Sequence, residues 1–468
     1  MLKLILESPV LLGFIVLIGG IYFFTLFHYA GRDKRFVFNL EKFFLAIFTV
    51  TVVGYTGASI LPFTKLHPRV LILPGTTLPT IAGQIGIYFG ALLLLSSRFR
   101  STLKDFIKAI VIFLSKSPFF GALMLMASLS FLWSDTPDIA LKTSLSLLTV
   151  SLVAIYFAKQ YTWPDIFNFL RWINLIIVVL SYYAVFFMEG KGGAAWNGIL
   201  GHKNQFSFFM AQTILLWLMY AVYSRKHAGW SIVVLVVSAI AFQRGNSGAS
   251  KVLLVILLSL WGYLGFVKKL QVKWAFVSVV LFMIVSICLT IVVTENLEFI
   301  FVDTLNKDMT LTGRTDFWPI LVNKINQRPI LGYGLSSFWQ PWLGADNPGG
   351  DVIVAKTQFR PVHAHNGFLD MGLELGWLGV ALFVISFFNN LAKGVVYLSR
   401  NPMPAAGLPL LLLTYTVIPN LTETGLLGPT GFWFWYVVTT VRLSLDTSGK
   451  SVKQNHSSLP YSQARAFL

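Results

Sequence analysis

The chain has 468 residues, of which 56% are hydrophobic and only 12% charged. Soluble domains carry about 25% charged residues, so this composition excludes a cytosolic enzyme, a secreted disulfide scaffold and a single-anchor receptor. There are enough apolar residues for about 13 spans of about 20 residues each. The net charge of +17 would suit nucleic acid, but its distribution decides otherwise. The single cysteine, Cys288, lies inside an apolar run and cannot form an internal disulfide.

Apolar runs fall at about 10–27, 43–60, 78–95, 119–133, 140–158, 166–188, 204–223, 229–243, 251–267, 274–293, 366–388, 406–421 and 430–443. Several are short or carry Gly and Pro, which gives about 11–13 transmembrane helices in an all-α integral membrane protein. The first run is interrupted at its start by Glu7, Ser8 and Pro9 and is followed by no small-residue cleavage site, so it reads as a retained span. Alternate loops hold about 20 basic residues against about 4 acidic ones, among them Arg98, Arg100, Lys104, Lys108, Lys268, Lys269 and Lys273. That asymmetry makes those loops cytoplasmic, with the N-terminus outside and the C-terminus inside. It is a topology signal, and no nucleic-acid partner is expected. Arg171, near the inner end of its run, reads as a snorkelling side chain.

The polytopic domain covers 1–445 and includes one long extracytoplasmic segment, 294–365. Loops of that length are uncommon and usually functional. The Ser- and Gln-rich tail 446–468 has no apolar period and reads as a disordered cytoplasmic tail. Gly86/Gly90 and Gly372/Gly376 have the spacing of close helix–helix contacts.

No phosphate-cradling Gly–Lys–Ser/Thr loop and no Asp-x-Asp pair are present, which excludes an ATP motor and a metal-bound nucleotide-sugar site. His363 and His365 are ligand types, but no third ligand stands at metal-site spacing, so neither metal nor cofactor is expected. Polar residues gather instead on the outer side. Gly201-His202-Lys203-Asn204 opens the seventh run and Gln243-Arg244-Gly245-Asn246 closes the eighth. Leu311-Thr312-Gly313-Arg314-Thr315-Asp316 lies in the long loop, and His363-Ala364-His365-Asn366 ends it. Asp370 and Glu374, four apart, share one face of the helix that follows. Ionisable groups within a span usually face a protein interior or an aqueous cavity.

These segments resemble the bacterial O-antigen ligase and surface-polysaccharide polymerase family. The resemblance rests on Leu311–Trp318, on Arg328-Pro329-Ile330-Leu331-Gly332-Tyr333-Gly334, on His365-Asn366-Gly367-Phe368-Leu369 with Glu374-Leu375-Gly376, and on Trp133-Ser134 before Pro137. It covers about 130–430. The Gly-His-Lys-Asn and Leu-Thr-Gly-Arg forms look closer to the exopolysaccharide polymerase branch than to the ligase branch.

The resemblance implies a GT-C-like membrane glycosyltransferase in the bacterial inner membrane, with its site on the periplasmic face. The donor is a glycan on a polyprenyl diphosphate and the acceptor is a lipid-linked glycan or a lipid; a chain-length regulator and a flippase are the expected partners, besides membrane lipids. The acceptor hydroxyl attacks the anomeric carbon with inversion, without metal, and the lipid diphosphate leaves. His365 matches the family's catalytic His, and an imidazole with an ordinary pKa of about 6.5 suits a base at neutral pH. Arg244 and Arg314 match its two essential arginines, whose planar forks suit diphosphate oxygens; the plainer readings are snorkelling for Arg244 and a loop ion pair for Arg314.

Lys203 at a helix start would add charge beside free N–H groups, with His202 next to it. Glu374 would orient His365 or pair with Arg244, or simply hold helices together. Glu423 resembles a family acid near the penultimate span. Besides polymerisation of lipid-linked repeats, two functions remain open: a ligase moving finished glycan onto lipid A–core or another acceptor, and a lipid-linked glycan transporter or flippase with no chemistry. The absence of a clear repeat and the gathering of ionisable groups at one rim weigh against the transporter.

Overall fold

The computed structural model describes residues 34–53, 99–188, 191–192, 194–224, 228–295, 314–353 and 360–447. The expected runs at 10–27 and 78–95, the Gly86/Gly90 pair, Leu311–Gly313 and the tail beyond Thr447 lie outside these residues. The helices in chain order are α1 (Lys34–Val53), α2 (Phe99–Lys116), α3 (Pro118–Leu129), α4 (Pro137–Gln160), α5 (Trp163–Phe187), α6 (Lys203–Tyr223), α7 (Ala228–Gly245), α8 (Gly248–Val267), α9 (Val272–Glu295), α10 (Arg314–Gln327), α11 (Gly367–Arg400), α12 (Leu408–Val417) and α13 (Gly431–Thr447). A two-residue hairpin pairs Lys191–Gly192 with Ala195–Trp196. The protein is an all-α integral membrane protein.

Eight helices among the described residues are long and apolar enough to cross a membrane, and the bent pair α2–α3 would make a ninth. Their positions follow the hydropathic runs, and their ends follow local chemistry. Pro118 and Pro137 occupy first helical positions, where the missing N–H costs nothing. Thr162 and Asp165 form a reciprocal capping box at the start of α5. The run expected at 119–133 forms α3 and the turn after it, and α2 meets α3 just before it at a bend of 109° across Ser117.

α12 is buried on every side, from Leu408 to Val417, and so is the central helix of the bundle. α13 packs beside it, with Phe432 against Tyr415, and turns the Trp433, Phe434 and Tyr436 rings toward Phe120, Phe157 and Phe383 of the surrounding helices. Polar pairs lock this apolar interior in register: Asn390 donates to Thr440 at 2.7 Å, and Trp433 Nε1 donates to Ser151 at 2.8 Å. α13 continues to Thr447, where Asp446 holds Arg442 and accepts from Trp163. Arg171 does not snorkel as expected. It is 4% exposed, and its guanidinium lies 3.4 Å from the Tyr220 ring centre and 4.8 Å from that of Trp217. Aromatic faces on α6 draw the cation inward rather than toward the lipid surface.

The long helix α11 breaks at Gly376, which has φ 66° and ψ −177°. Only glycine occupies that region at little cost. The break frees backbone groups, and the loop after α10 satisfies them: Tyr333 N–H donates to Leu373 O at 2.8 Å, Gly334 N–H to Glu374 O at 2.9 Å, and Trp377 N–H to Pro329 O at 2.7 Å. Gly332 faces the break so closely that a Cβ there would lie 2.6 Å from the backbone of Glu374, Leu375 and Gly376. Gly372 meets Ile325 of α10. The Gly372/Gly376 pair therefore seats the loop, not another span.

The same loop is tied to the turn between α3 and α4. Arg328 pairs with Asp135 at 2.8 Å, Trp133 Nε1 donates to Leu331 O at 3.0 Å, and Ser134 donates to Ser337 at 2.7 Å. Replacing Gly376 by Ala places a methyl 2.6 Å from Pro329 O and Ile330 O in a backbone region closed to Ala. We expect Gly376→Ala to destabilise the solubilised protein by about 2–4 kcal/mol, read as a lowered thermal midpoint; an unchanged midpoint would show that the break tolerates a side chain.

Candidate active site

His363–Asn366 form the turn that leads into α11. Asn366 caps the helix, its Oδ1 accepting the N–H groups of Phe368 and Leu369 at 2.9 and 3.2 Å. Ala364 is buried; its N–H donates to Asp370 at 3.1 Å and its carbonyl accepts from Trp318 Nε1 at 2.9 Å. His365 has φ 51°, a left-handed backbone uncommon for a residue with a side chain. Its N–H donates to His363 Nδ1 at 3.2 Å, and the two rings lie 3.9 Å apart. The His365 side chain is 18% exposed, at the mouth of the bundle.

Facing His365 is Glu423, on the turn that follows α12. It is 4% exposed, and its Oε2 lies 3.9 Å from His365 Nδ1. That separation is longer than a hydrogen bond, within reach of a small ring rotation. The other oxygen accepts from Asn204 Nδ2 at 2.6 Å. Asn204 is in the first turn of α6, beside Lys203 and His202, both of which are exposed. Arg244 is exposed in the last turn of α7. Gly245 presses that turn onto α6, since a Cβ there would lie 2.1 Å from Ser207 Oγ. Arg314 opens α10, four residues ahead of Trp318.

The structure thus brings His365 to Glu423 and Asn204, with Lys203, His202 and Arg244 on the helix ends at the same side of the bundle. It gives Glu374 a different task from the expected one. Two turns below His365, its Oε1 accepts the Ser336 N–H at 2.9 Å, in the loop seated on the helix break. Asp370 is likewise committed to backbone and side-chain donors: Trp339 Nε1 at 2.7 Å, Ala364 N–H and the Thr424 hydroxyl. Burial raises the Tyr333 phenol above its ordinary pKa, which keeps its proton for Lys324 O and Gln327. An open groove of about 650 Å³ runs beside the turn, lined by Trp318, Val322, Phe368, Leu369 and Leu421 with Asn323 and Asn366.

The spacing argument against a metal missed Glu423: His363, His365 and Glu423 offer donor atoms within 4.8 Å of one another. The hydrogen bonding limits that set. His363 Nδ1 already accepts the His365 N–H, so a neutral ring carries its proton on Nε2. His363 could ligate only by giving up that bond. Sequence reasoning placed Glu423 and Asn204 in the polar cluster and Trp318 in a motif, but it gave Asn204 and Trp318 no part in the site. Nothing in local periodicity marks those contacts, because each joins segments far apart in the chain.

With this geometry in hand, the comparisons with known proteins can be placed on it. Residues 215–384 match the O-antigen ligase family. This bears out the motif resemblance, and the matched segment includes Arg244, Arg314, His365 and Glu374. A protein of Rickettsia prowazekii provisionally named a polysaccharide ligase is 41% identical over 80 residues, 17% of this chain and 20% of that protein. One of Rickettsia typhi, named in the same way, is 39% identical over 80 residues, again 17% and 20%. The exopolysaccharide production protein ExoQ of Rhizobium meliloti is 29% identical over 92 residues, 19% of this chain and 21% of ExoQ. The chain therefore spans about a fifth of the length of the curated relatives it matches.

Asp370 is the support of the whole turn, and its removal strands the Trp339, Ala364 and Thr424 donors together. Asp370→Ala is expected to cost about 3 kcal/mol or more in folding stability, measured by thermal or denaturant unfolding in detergent. A variant as stable as the parent would deny the carboxylate this supporting role.

Proposed function

We propose that the protein is a membrane glycosyltransferase that joins a glycan carried on a polyprenyl diphosphate to a lipid-linked glycan, extending exopolysaccharide or O-antigen-like polymer. The observation that carries this reading is the His365–Glu423 pair at the mouth of the bundle, set among helix ends that carry Lys203 and Arg244. His365 takes the proton of the acceptor hydroxyl on Nε2 as that oxygen attacks the anomeric carbon. Glu423 stabilises the imidazolium from the Nδ1 side, and Asn204 keeps the carboxylate in place. The bond to the lipid diphosphate breaks on the opposite face of the sugar, so the configuration inverts.

Arg244, Arg314 and Lys203 receive the charge that grows on the departing diphosphate. His202 adds a contact beside Lys203. The groove beside Trp318 and Phe368 leads substrate to the turn. This end of the bundle is the periplasmic face of the inner membrane in this reading, because the basic loops occupy the other end. Glu374 acts on the site only through the loop it holds.

The relatives provisionally named polysaccharide ligases favour a second reading, in which finished glycan passes to lipid A–core or another acceptor. Glycan analysis in a strain lacking this protein, supplied with lipid-linked repeats, separates the two. A ladder of lengths marks a polymerase, and a single addition to a second acceptor marks a ligase.

At equal expression, His365→Ala is expected to lower output by roughly 10²–10⁴-fold. Arg314→Lys keeps charge but loses the fork, and is expected to lose most of the activity. The rate should rise with pH as the imidazole loses its proton. Glu423→Gln should move that rise to lower pH, because an anionic neighbour favours the protonated ring and its removal lowers the pKa. If His365→Ala and Arg314→Lys both kept the parent's polymer output, the base-and-clamp reading would be wrong.

A further inference from the structure

We propose that His363 is a positioning residue whose imidazole fixes the backbone of His365, and that it handles no proton in the reaction. The inference rests on the reading of His365 as the base.

Among the contacts that hold the backbone of the turn 363–366 are three at Ala364 and His365. Ala364 N–H is tied to Asp370, Ala364 O to Trp318, and His365 N–H to His363 Nδ1 at 3.2 Å. Of these, only the third ends on His365 itself. His365 has φ 51°, a conformation that a residue with a Cβ holds only when its surroundings impose it. A side-chain acceptor at one position bonded to the N–H two positions on is the pattern of an Asx turn, in which an Asn or Asp oxygen accepts that N–H. His363 Nδ1 stands where that oxygen would be. Asn366 repeats the pattern: its Oδ1 accepts the Phe368 N–H at 2.9 Å. Two successive side-chain-closed turns thus lead from the loop into α11, and the first of them sets the direction of the His365 side chain.

The bond also defines the chemistry of the His363 ring. With its Nδ1 lone pair occupied, the neutral ring keeps its hydrogen on Nε2. Adding a proton at Nδ1 would place two N–H groups head to head and release the turn. In the closed turn that nitrogen is an acceptor, and the ring lies 3.9 Å from that of His365 between centres. His363, His365 and Glu423 have donor atoms within 4.8 Å of one another, and in this inference the acceptor's proton goes to His365 while His363 Nδ1 holds the turn. The same occupied lone pair takes His363 out of a metal-ligand set for as long as the turn is closed.

The test compares His363→Asn with His363→Ala in the full-length chain, reconstituted in vesicles with a lipid-linked oligosaccharide donor. Asn restores the acceptor without the imidazole, and Ala removes both. We expect His363→Asn to keep the parent rate within about threefold. His363→Ala should lose roughly ten- to hundredfold in kcat with little change in KM, since a misdirected base slows chemistry more than binding. Thermal midpoints of the two variants report whether either has failed to fold, and the Asn variant keeps the comparison decisive if the Ala variant does.

A His363→Ala rate equal to the parent's would overturn the inference, and so would a His363→Asn rate as low as that of His363→Ala, which would make the ring itself a participant. Stoichiometric zinc retained by the purified parent and lost in His363→Asn would overturn it as well, because the His363 ring would then be a ligand and the Nδ1 bond that closes the turn would be given up. An inactive His365→Ala with a fully active His363→Ala removes this inference alone. An active His365→Ala removes the catalytic reading and this inference together.

Discussion

The break of α11 at Gly376, and the loop that fills it, is the constraint from which the rest of the site follows. A helix interrupted inside an apolar bundle exposes backbone donors and acceptors that water cannot reach, and they must be paired by protein. Here the segment Pro329–Gly334 pairs them, with Gly332 and Gly376 allowing the two backbones to touch. Once the loop is seated, α10 can only lie along the upper half of α11, where Ile325 meets Gly372. Trp318 then reaches the carbonyl of Ala364, and the turn that carries His365 is fixed from two sides. The link from Arg328 to Asp135 extends the same arrangement to the start of α4.

Three buried carboxylates lie near this end of the bundle, and their partners distinguish their roles. Asp370 and Glu374 have oxygens filled by donors from the loop and the turns, among them backbone N–H groups. They hold segments in place. Glu423 has one oxygen held by Asn204 and the other turned toward an imidazole. A carboxylate left facing a titratable ring in a poorly solvated place is worth more to that ring's charged form than the same group would be in water. Proximity to the mouth alone would not have separated these acids.

The spans were legible in the sequence because hydropathy reports the partition of each segment between lipid and water, and that does not depend on which helices touch. The motif residues around Arg328–Gly334 and His365–Gly376 were legible as a set, but their physical meaning was not. Gly376 read as a helix-contact glycine and proved to be a break. Glu374 read as a partner of His365 or Arg244, with helix holding as the plainer alternative, and it supports the loop. Arg171 read as reaching for the lipid headgroups and is folded onto Tyr220 and Trp217. In each case the sequence carries the residue type and its depth, while the contact depends on a segment remote in the chain. Glu423 shows the same limit from the other side: its position and the resemblance pointed to it, but nothing near it in sequence reveals that the fold sets it against His365.

The loop is moored to the break largely by main-chain atoms. Leu373 O, Glu374 O and Trp377 N–H bond to backbone partners in the loop, and Glu374 itself holds a backbone N–H. Anchorage of this kind asks little of the side chains that the loop displays. Residues beyond its glycines can therefore change identity while the mooring persists, so the surface that the loop displays can diversify without the turn that carries His365 being rebuilt.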